Sequence, residues 1–424
     1  MTGGVHTAGD LAEGVPDPLR ALPHRPDTSG TAGHPFAPSD QGITDDGRMR
    51  AQDLVVEETA TEDAVTVDTD LPGQVHETLA DYLEIRITEC RDIDPAFAEA
   101  VRELARFVLG GGKRIRPAFA WWGWRAAGGA AEGRQATAML RAASALELIQ
   151  TCALMHDDLI DDSDTRRGHS TVHVRFAETH RNERWNGSAR RFGTAAAVLL
   201  GDLAMSWADD MVRSSGLPGA CLARAMQPWQ AMRTEVLAGQ YLDILGQARG
   251  DESPEAALRI DELKSASYTV QRPLQFGAEL GGADAATMAA LSRFGADIGV
   301  AFQLRDDLLG VFGDPDVTGK PAGDDLREGK RTLLVAEAFG RARQHGDQSS
   351  LDVLHSVLGE EDPHPSQVQQ ARQVLEHLGA VRAVEDRITT LTEKAMATLE
   401  TTDLPEPAAT RLAELAIAVT DRNA

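Results

Sequence analysis

The sequence predicts an all-α fold, a single large helical bundle around a central apolar cavity, preceded by a disordered tail. Three observations carry that reading. From Val75 onward apolar residues recur at helical spacing, with Leu79, Leu83 and Ile87 each one turn apart. Long stretches rich in Ala, Leu and Met follow, at 134–160, 194–213, 219–247, 255–280, 284–311, 330–345 and 366–400. Alternating Val/Ile/Thr runs bounded by turn residues, the mark of strands, are almost absent. Facing helices in such a bundle commonly build a ligand site in its core.

Taken in chain order, residues 1–75 stand apart from the rest. They hold 7 of the 19 prolines, one aromatic (Phe36), and 14 acidic against 4 basic residues. Low hydrophobicity and like charge cannot drive collapse, so a disordered acidic tail is expected there, with a helical domain over 76–424. A polar interruption at 345–366, carrying Pro363 and Pro365, reads as a loop between C-terminal helices.

Composition excludes several function classes. The net charge of −24 argues against a nucleic-acid or anionic-membrane partner, because phosphate binding needs clustered basic residues. No apolar run reads as long enough for a membrane span, and the start lacks the basic and apolar regions of a secretory signal. Cys90, Cys152 and Cys221 form neither a zinc spacing nor a disulfide framework, which fits a reducing cytoplasm.

Two aspartate-rich segments carry the chemistry: His156-Asp157-Asp158-Leu159-Ile160-Asp161 and Asp306-Asp307-Leu308-Leu309-Gly310. Each ends a long apolar run, where an ionised carboxylate without a partner would cost several kcal/mol. On a helix Asp157 and Asp161 share a face, about 6 Å apart along the axis. Hard carboxylate oxygens at that spacing suit Mg²⁺, which commonly bridges a few carboxylates to substrate phosphates.

A third segment, Gly110-Gly111-Gly112-Lys113-Arg114-Ile115-Arg116-Pro117, joins glycines that admit close backbone approach to three cations able to meet a diphosphate. It lacks the Ser or Thr after lysine that a P-loop requires, and a basic surface turn is an equal alternative. Arg166 and Arg167 after the first Asp cluster fit either structural counter-ions or a phosphate grip. Gln240 with Asp243, Lys264, and Gln303 with Asp306 are single polar residues on apolar patterns. Singly, each fits a satisfied helix surface better than a ligand.

The order GGKRIRP, DDLID with RRG, GQYLD, KSASYT, FQLRDD and TGKPAGDDLREGKRT resembles the trans-isoprenyl diphosphate synthases, the polyprenyl synthetase family. The resemblance covers about residues 76–424 and is strongest toward actinobacterial-type geranylgeranyl diphosphate synthases. It implies an Mg²⁺-dependent prenyltransferase with three ions per active site, held by Asp157, Asp158 and Asp161 on one side and Asp306 and Asp307 on the other. Gly310 stands in place of the third aspartate of the second motif, with Asp314 as a possible substitute.

The same resemblance assigns Lys113, Arg116, Gln150 and Arg167 to isopentenyl diphosphate, Gln150 standing where many bacterial members have His. Arg166, Lys264 and Lys320 would grip the allylic diphosphate, with Lys330 a further candidate. Ser265 replaces a common Thr, and Gln303 joins Lys264 and the aspartates in the catalytic set. A homodimer is implied as well.

Product length would be set by the cavity floor. Cys152 and Ala153 lie one turn before Asp157, where family members that stop at farnesyl diphosphate often carry an aromatic. Two small residues favour geranylgeranyl diphosphate or longer, with Ile149 and Leu146 as stoppers below. Trp121, Trp122 and Trp124 read as core packing. A longer-chain synthase and a non-catalytic subunit of a heteromeric synthase are the alternatives. A class I terpene cyclase would need a second metal motif of Asn/Asp–Ser/Thr–Glu type, which 306–314 does not supply, and has no use for GGKRIRP.

Overall fold

The computed structural model describes residues 67–314, 323–360 and 363–421. The tail reading for residues 1–66 and the assignment of Lys320 lie outside the described residues.

The domain is helical almost throughout. Its first half runs α1 (Leu71–Ile93), α2 (Pro95–Leu109), α3 (Ile115–Ala126), α4 (Gly133–Ser144) and α5 (Leu146–Ile160). A hairpin of β1 (Thr165–Arg166) and β2 (His169–Ser170) leads into α6 (Val172–Asn182), α7 (Ala189–Arg213) and α8 (Gly219–Arg249). Next come α9 (Pro254–Ile260), a π-helical segment (Asp261–Gln271), α10 (Arg272–Gly281) and α11 (Ala285–Phe312). The chain closes with α12 (Asp324–Arg327), α13 (Leu333–His345), α14 (Gln348–His355), α15 (Pro365–His377), α16 (Ala380–Glu400) and α17 (Ala408–Thr420).

The domain opens earlier than the sequence pattern placed it. Asp70 caps α1, accepting from the Gly73 N–H at 3.1 Å, and Leu71 and Val75 are already buried. Asp68 accepts from Trp121 Nε1 at 2.8 Å and pairs with Arg125 at 3.1 Å. Two acids counted with the tail therefore anchor α1 to α3. The stripe Leu71, Val75, Leu79, Leu83 and Ile87 stays buried along the helix, each side chain contributing about 1.5–3 kcal/mol.

Other boundaries moved for local reasons. The stretch read as one helix over 366–400 splits at Gly379, whose φ of 70° is left-handed and ends α15. The 345–366 interruption contains α14, capped by Asp347. Residues 133–160 form α4 and α5, and by length and composition Gly133–Ile160 could cross a membrane, against the expectation of no such run. With 78% of that apolar window buried inside the fold, it is core.

Two apolar clusters meet on α11. Phe294, Ile298 and Phe302 pack with α1–α8 and α10, while Ala301, Leu304, Leu308 and Val311 pack with α13–α16. The π segment is clasped between α8 and α11: a Cβ at Gly239 would lie 2.3 Å from Lys264 N, and one at Gly299 would lie 2.6 Å from Ala266 O. Glycine at these two positions lets the backbones approach closely enough to fix where Lys264 points.

Candidate active site

The C-terminal turn of α5 brings Asp157, Asp158 and Asp161 to one end of the bundle, as their spacing predicted. Asp158 is 1% exposed, and Arg166 closes on it with Nε at 2.5 Å and on Asp157 with Nη2 at 3.3 Å. The hairpin explains why adjacent arginines serve different places. Arg167 (φ 54°) and Gly168 (φ 75°) are both left-handed, as a two-residue type I′ turn requires. Arg166 ends β1 facing the carboxylates, whereas Arg167 swings the other way and donates to Gly111 O at 2.6 Å.

The second carboxylate wall is α11. Asp307 is 3% exposed and accepts from Gln303 Nε2 at 2.6 Å, one turn away, while Asp306 is half-buried. Two lysines stand among the acids. Lys264 of the π segment lies 2.7 Å from Asp243 of α8 and 3.1 Å from Asp157. Lys330 lies 3.1 Å from Asp325, 3.7 Å from Asp161, and also pairs with Glu328.

This arrangement separates the titration of neighbouring carboxyls. Burial would raise Asp157, but the Lys264, Lys330 and Arg166 cations outweigh it and hold the group at about 2. Burial, with Asp157 and Glu328 adding repulsion, pushes Asp161 up to about 7. Asp261 goes up to about 8 through burial and the nearby Asp243, and burial together with Asp261 and Asp325 drives Asp307 well above the carboxylate range. Such raised values mark sites where negative charge has been gathered ahead of its counter-ions.

The glycine-rich segment forms a basic lip before α3. Arg116 donates to Thr269 Oγ1 at 2.8 Å and stacks over Tyr268 at 4.1 Å, both on the π segment. Lys113 is exposed and Gln150 half-buried, its Oε1 without a hydrogen-bond partner. Arg167 has its pKa lowered by burial, with Arg166, Arg114 and Arg116 adding like charge, as expected where cations await an anion.

Arg114 corrects the expectation of three cations for a diphosphate. At φ 49° it turns inward and donates to Glu147 at 2.5 Å and to Val108 O at 3.0 Å. It holds the lip in place and does not belong to the anion site.

On α5 the floor residues divide. Ala153, one turn before Asp157, shares its face and is half-buried. Cys152 shares the face of His156, with Sγ 3.7 Å from Nδ1, and that imidazole lies 3.4 Å from Val198 O on α7. Burial pushes the Cys152 thiol up to about 12. Ile149 and Leu146 are fully buried below. Ser265 lies half-buried beside Lys264. Trp121, Trp122 and Trp124 are core residues, as read from the sequence.

The profile of the Polyprenyl synthetase family matches residues 98–375. This chain belongs to that family. Within it, the chain is 32% identical over 311 residues to the short chain isoprenyl diphosphate synthase of Methanothermobacter thermautotrophicus, covering 72% of this chain and 86% of that one. It is 38% identical over 197 residues to the geranylgeranyl diphosphate synthase of Mycobacterium tuberculosis, covering 46% and 51%. The structure of a Corynebacterium glutamicum geranylgeranyl pyrophosphate synthase, complexed with isoprenyl diphosphate and magnesium, matches with a TM-score of 0.80 and 44% identity, over 83% of this chain and 98% of that one. The protein is thus a prenyltransferase of the isoprenyl diphosphate synthase type with an all-α isoprenoid synthase fold.

In this polyprenyl synthetase the acids fit hard cations. The donors are all carboxylate oxygens, and buried Oδ2 atoms of Asp161, Asp261 and Asp307 lack hydrogen-bond partners. Among the described residues no three such side chains converge into a closed metal cage. Sequence reasoning missed Asp261, Asp325, Glu328 and Glu147. The available signal was the acid-rich run GDDLREGKRT, which holds Asp325 and Glu328.

Proposed function

We propose that this prenyltransferase condenses isopentenyl diphosphate with an allylic diphosphate (dimethylallyl, geranyl or farnesyl) and releases geranylgeranyl diphosphate. One observation carries the reading: a single π segment serves two anion sites. Lys264 faces the carboxylates at 3.1 Å from Asp157, and Thr269 holds Arg116 of the basic lip at 2.8 Å. Two diphosphates held side by side are what a condensation between two diphosphate substrates needs.

The residues divide the work. Asp157, Asp158 and Asp161 on α5 and Asp306 and Asp307 on α11 would hold Mg²⁺, three ions in our reading. Bound by these carboxylates, Mg²⁺ would supply charge neutralisation for a departing diphosphate. Lys264 and Arg166 add fixed positive charge to the departing group, as Lys320 would by the family resemblance, with Gln303 orienting Asp307 through its 2.6 Å hydrogen bond. Lys113, Arg116, Gln150 and Arg167 hold isopentenyl diphosphate so that its double bond attacks the allylic carbon. The alkene is the nucleophile and the proton lost afterwards passes to the released diphosphate, so neither a side-chain nucleophile nor a side-chain base is required. Apolar packing around α5 keeps water from the cation.

The growing chain would run past Ala153 toward Ile149, which favours the geranylgeranyl product. Homodimerisation belongs to the same reading. Leu199 on α7 and Leu237 and Tyr241 on α8 are 68%, 58% and 64% exposed, apolar side chains that a second copy could cover. We place the enzyme in the cytoplasm, consistent with three free cysteines.

The test is product analysis with purified protein, Mg²⁺, labelled isopentenyl diphosphate and each allylic starter. Geranylgeranyl diphosphate as end product is expected. No condensation with any starter would remove the catalytic reading and bring forward the non-catalytic subunit.

A further inference from the structure

Gly310 leaves the second carboxylate wall one aspartate short, and the structure shows what fills the room. On α11 residue 310 lies one turn beyond Asp306 and Asp307, four residues after the first and three after the second. A Cβ there would lie 1.8 Å from Asp325 Oδ2 and 2.5 Å from its Cγ, so the Asp325 carboxyl occupies the place a side chain at 310 would take. Asp314, weighed as a substitute from the sequence, is exposed and lies past the end of α11, after an extended Gly313.

Asp325 is held firmly. It sits on α12, whose Leu326 is fully buried and accepts at its carbonyl from Gly359 N at 3.2 Å. Its own carbonyl accepts from Lys330 N at 3.0 Å, and its Oδ1 lies 3.1 Å from Lys330 Nζ. The same ammonium reaches Asp161 at 3.7 Å, so Lys330 bridges Asp325 and the first carboxylate wall. Asp307, 3% exposed, keeps an Oδ2 without a hydrogen-bond partner. Asp325 is among the charges that raise Asp307, as proximity requires.

We propose that Asp325 completes the second carboxylate wall, taking through space the position that the missing aspartate at 310 would take along the helix. Its carboxylate faces the cation that Asp306 and Asp307 hold, and Lys330 is its counter-ion until metal and diphosphate arrive. The inference rests on the synthase reading above and adds a residue to it.

The test is calorimetric titration of Mg²⁺ into the full-length protein with inorganic diphosphate present, alongside condensation kinetics. Asp325→Asn, which keeps size and shape, should weaken Mg²⁺-dependent binding about tenfold or more. Gly310→Asp alone should also weaken it, because its Cβ meets Asp325. The swap Gly310→Asp with Asp325→Ala should restore binding to within about threefold of the parent. Parental affinity in Asp325→Asn, or a swap no tighter than Asp325→Ala alone, would overturn the inference. A parent protein that binds Mg²⁺ and diphosphate in neither assay would instead remove the synthase reading, and this inference with it.

Discussion

Arg114 and Glu147 form a buried ion pair, Nη1 to Oε2 at 2.5 Å, with both side chains no more than 7% exposed. The pair joins the end of the glycine-rich lip to α5 on its way to the aspartates. Removing one partner of such a pair leaves an uncompensated charge. Arg114→Ala should therefore destabilise the fold by about 3–5 kcal/mol, read by urea unfolding. Replacing both residues with apolar ones of similar size should recover most of that loss. A variant as stable as the parent would refute the anchoring role.

Arg116 makes a contrasting prediction. It is tied to the π segment through Thr269 and Tyr268, and we assign it to the proposed isopentenyl diphosphate site. Arg116→Ala should raise KM for isopentenyl diphosphate about tenfold or more while KM for the allylic substrate stays within about twofold. Equal rises for both substrates in steady-state kinetics would place Arg116 elsewhere.

Only one of the two small residues above the floor should control product length. Ala153→Phe should shorten the main product to farnesyl diphosphate in a chromatographic assay, because it shares the face of Asp157. Cys152→Phe points toward α7 and should destabilise by about 1–3 kcal/mol through overpacking without a clean change of product. Shortening by the change at 152 alone would reverse the assignment.

Asp261 predicts a pH dependence. Its pKa rises from 3.8 to about 8, so the folded state holds a proton that the unfolded state has released. Stability then falls as pH rises from about 4 toward 8, because ionising the buried carboxyl costs more than ionising it in water. Asp261→Asn in metal-free protein should flatten that fall and raise Tm at pH 8 by about 2 °C or more. An unchanged Tm profile in scanning calorimetry would contradict the assignment.

The site was partly legible in the sequence, and the exceptions share a cause. Asp157 and Asp161 could be paired because helical spacing puts them on one face, whereas Lys264 was singled out only by the family resemblance. Arg114 could not be told from Lys113 and Arg116, because the left-handed φ that turns it inward leaves no trace in a basic run. Asp261 was hidden by the π segment: widening the turn shifts the register, so a 3.6-residue pattern assigns its face wrongly. Asp325 meets Gly310 across fifteen positions of chain, a relation that only the folded backbone supplies. The helical class came through because it depends on many apolar positions at once. Individual boundaries depended on single residues such as Asp70 and Gly379.

The π segment also bears on how this enzyme can vary over generations. Lys264 and Thr269 ride on one stretch of backbone, gripped at Gly239 and Gly299. Gaining or losing one residue there would rotate everything beyond it by about 100° and misalign one substrate against the other. Substitutions that keep Lys264 and Thr269 leave that alignment intact, whereas a change in the length of Asp261–Gln271 would break it.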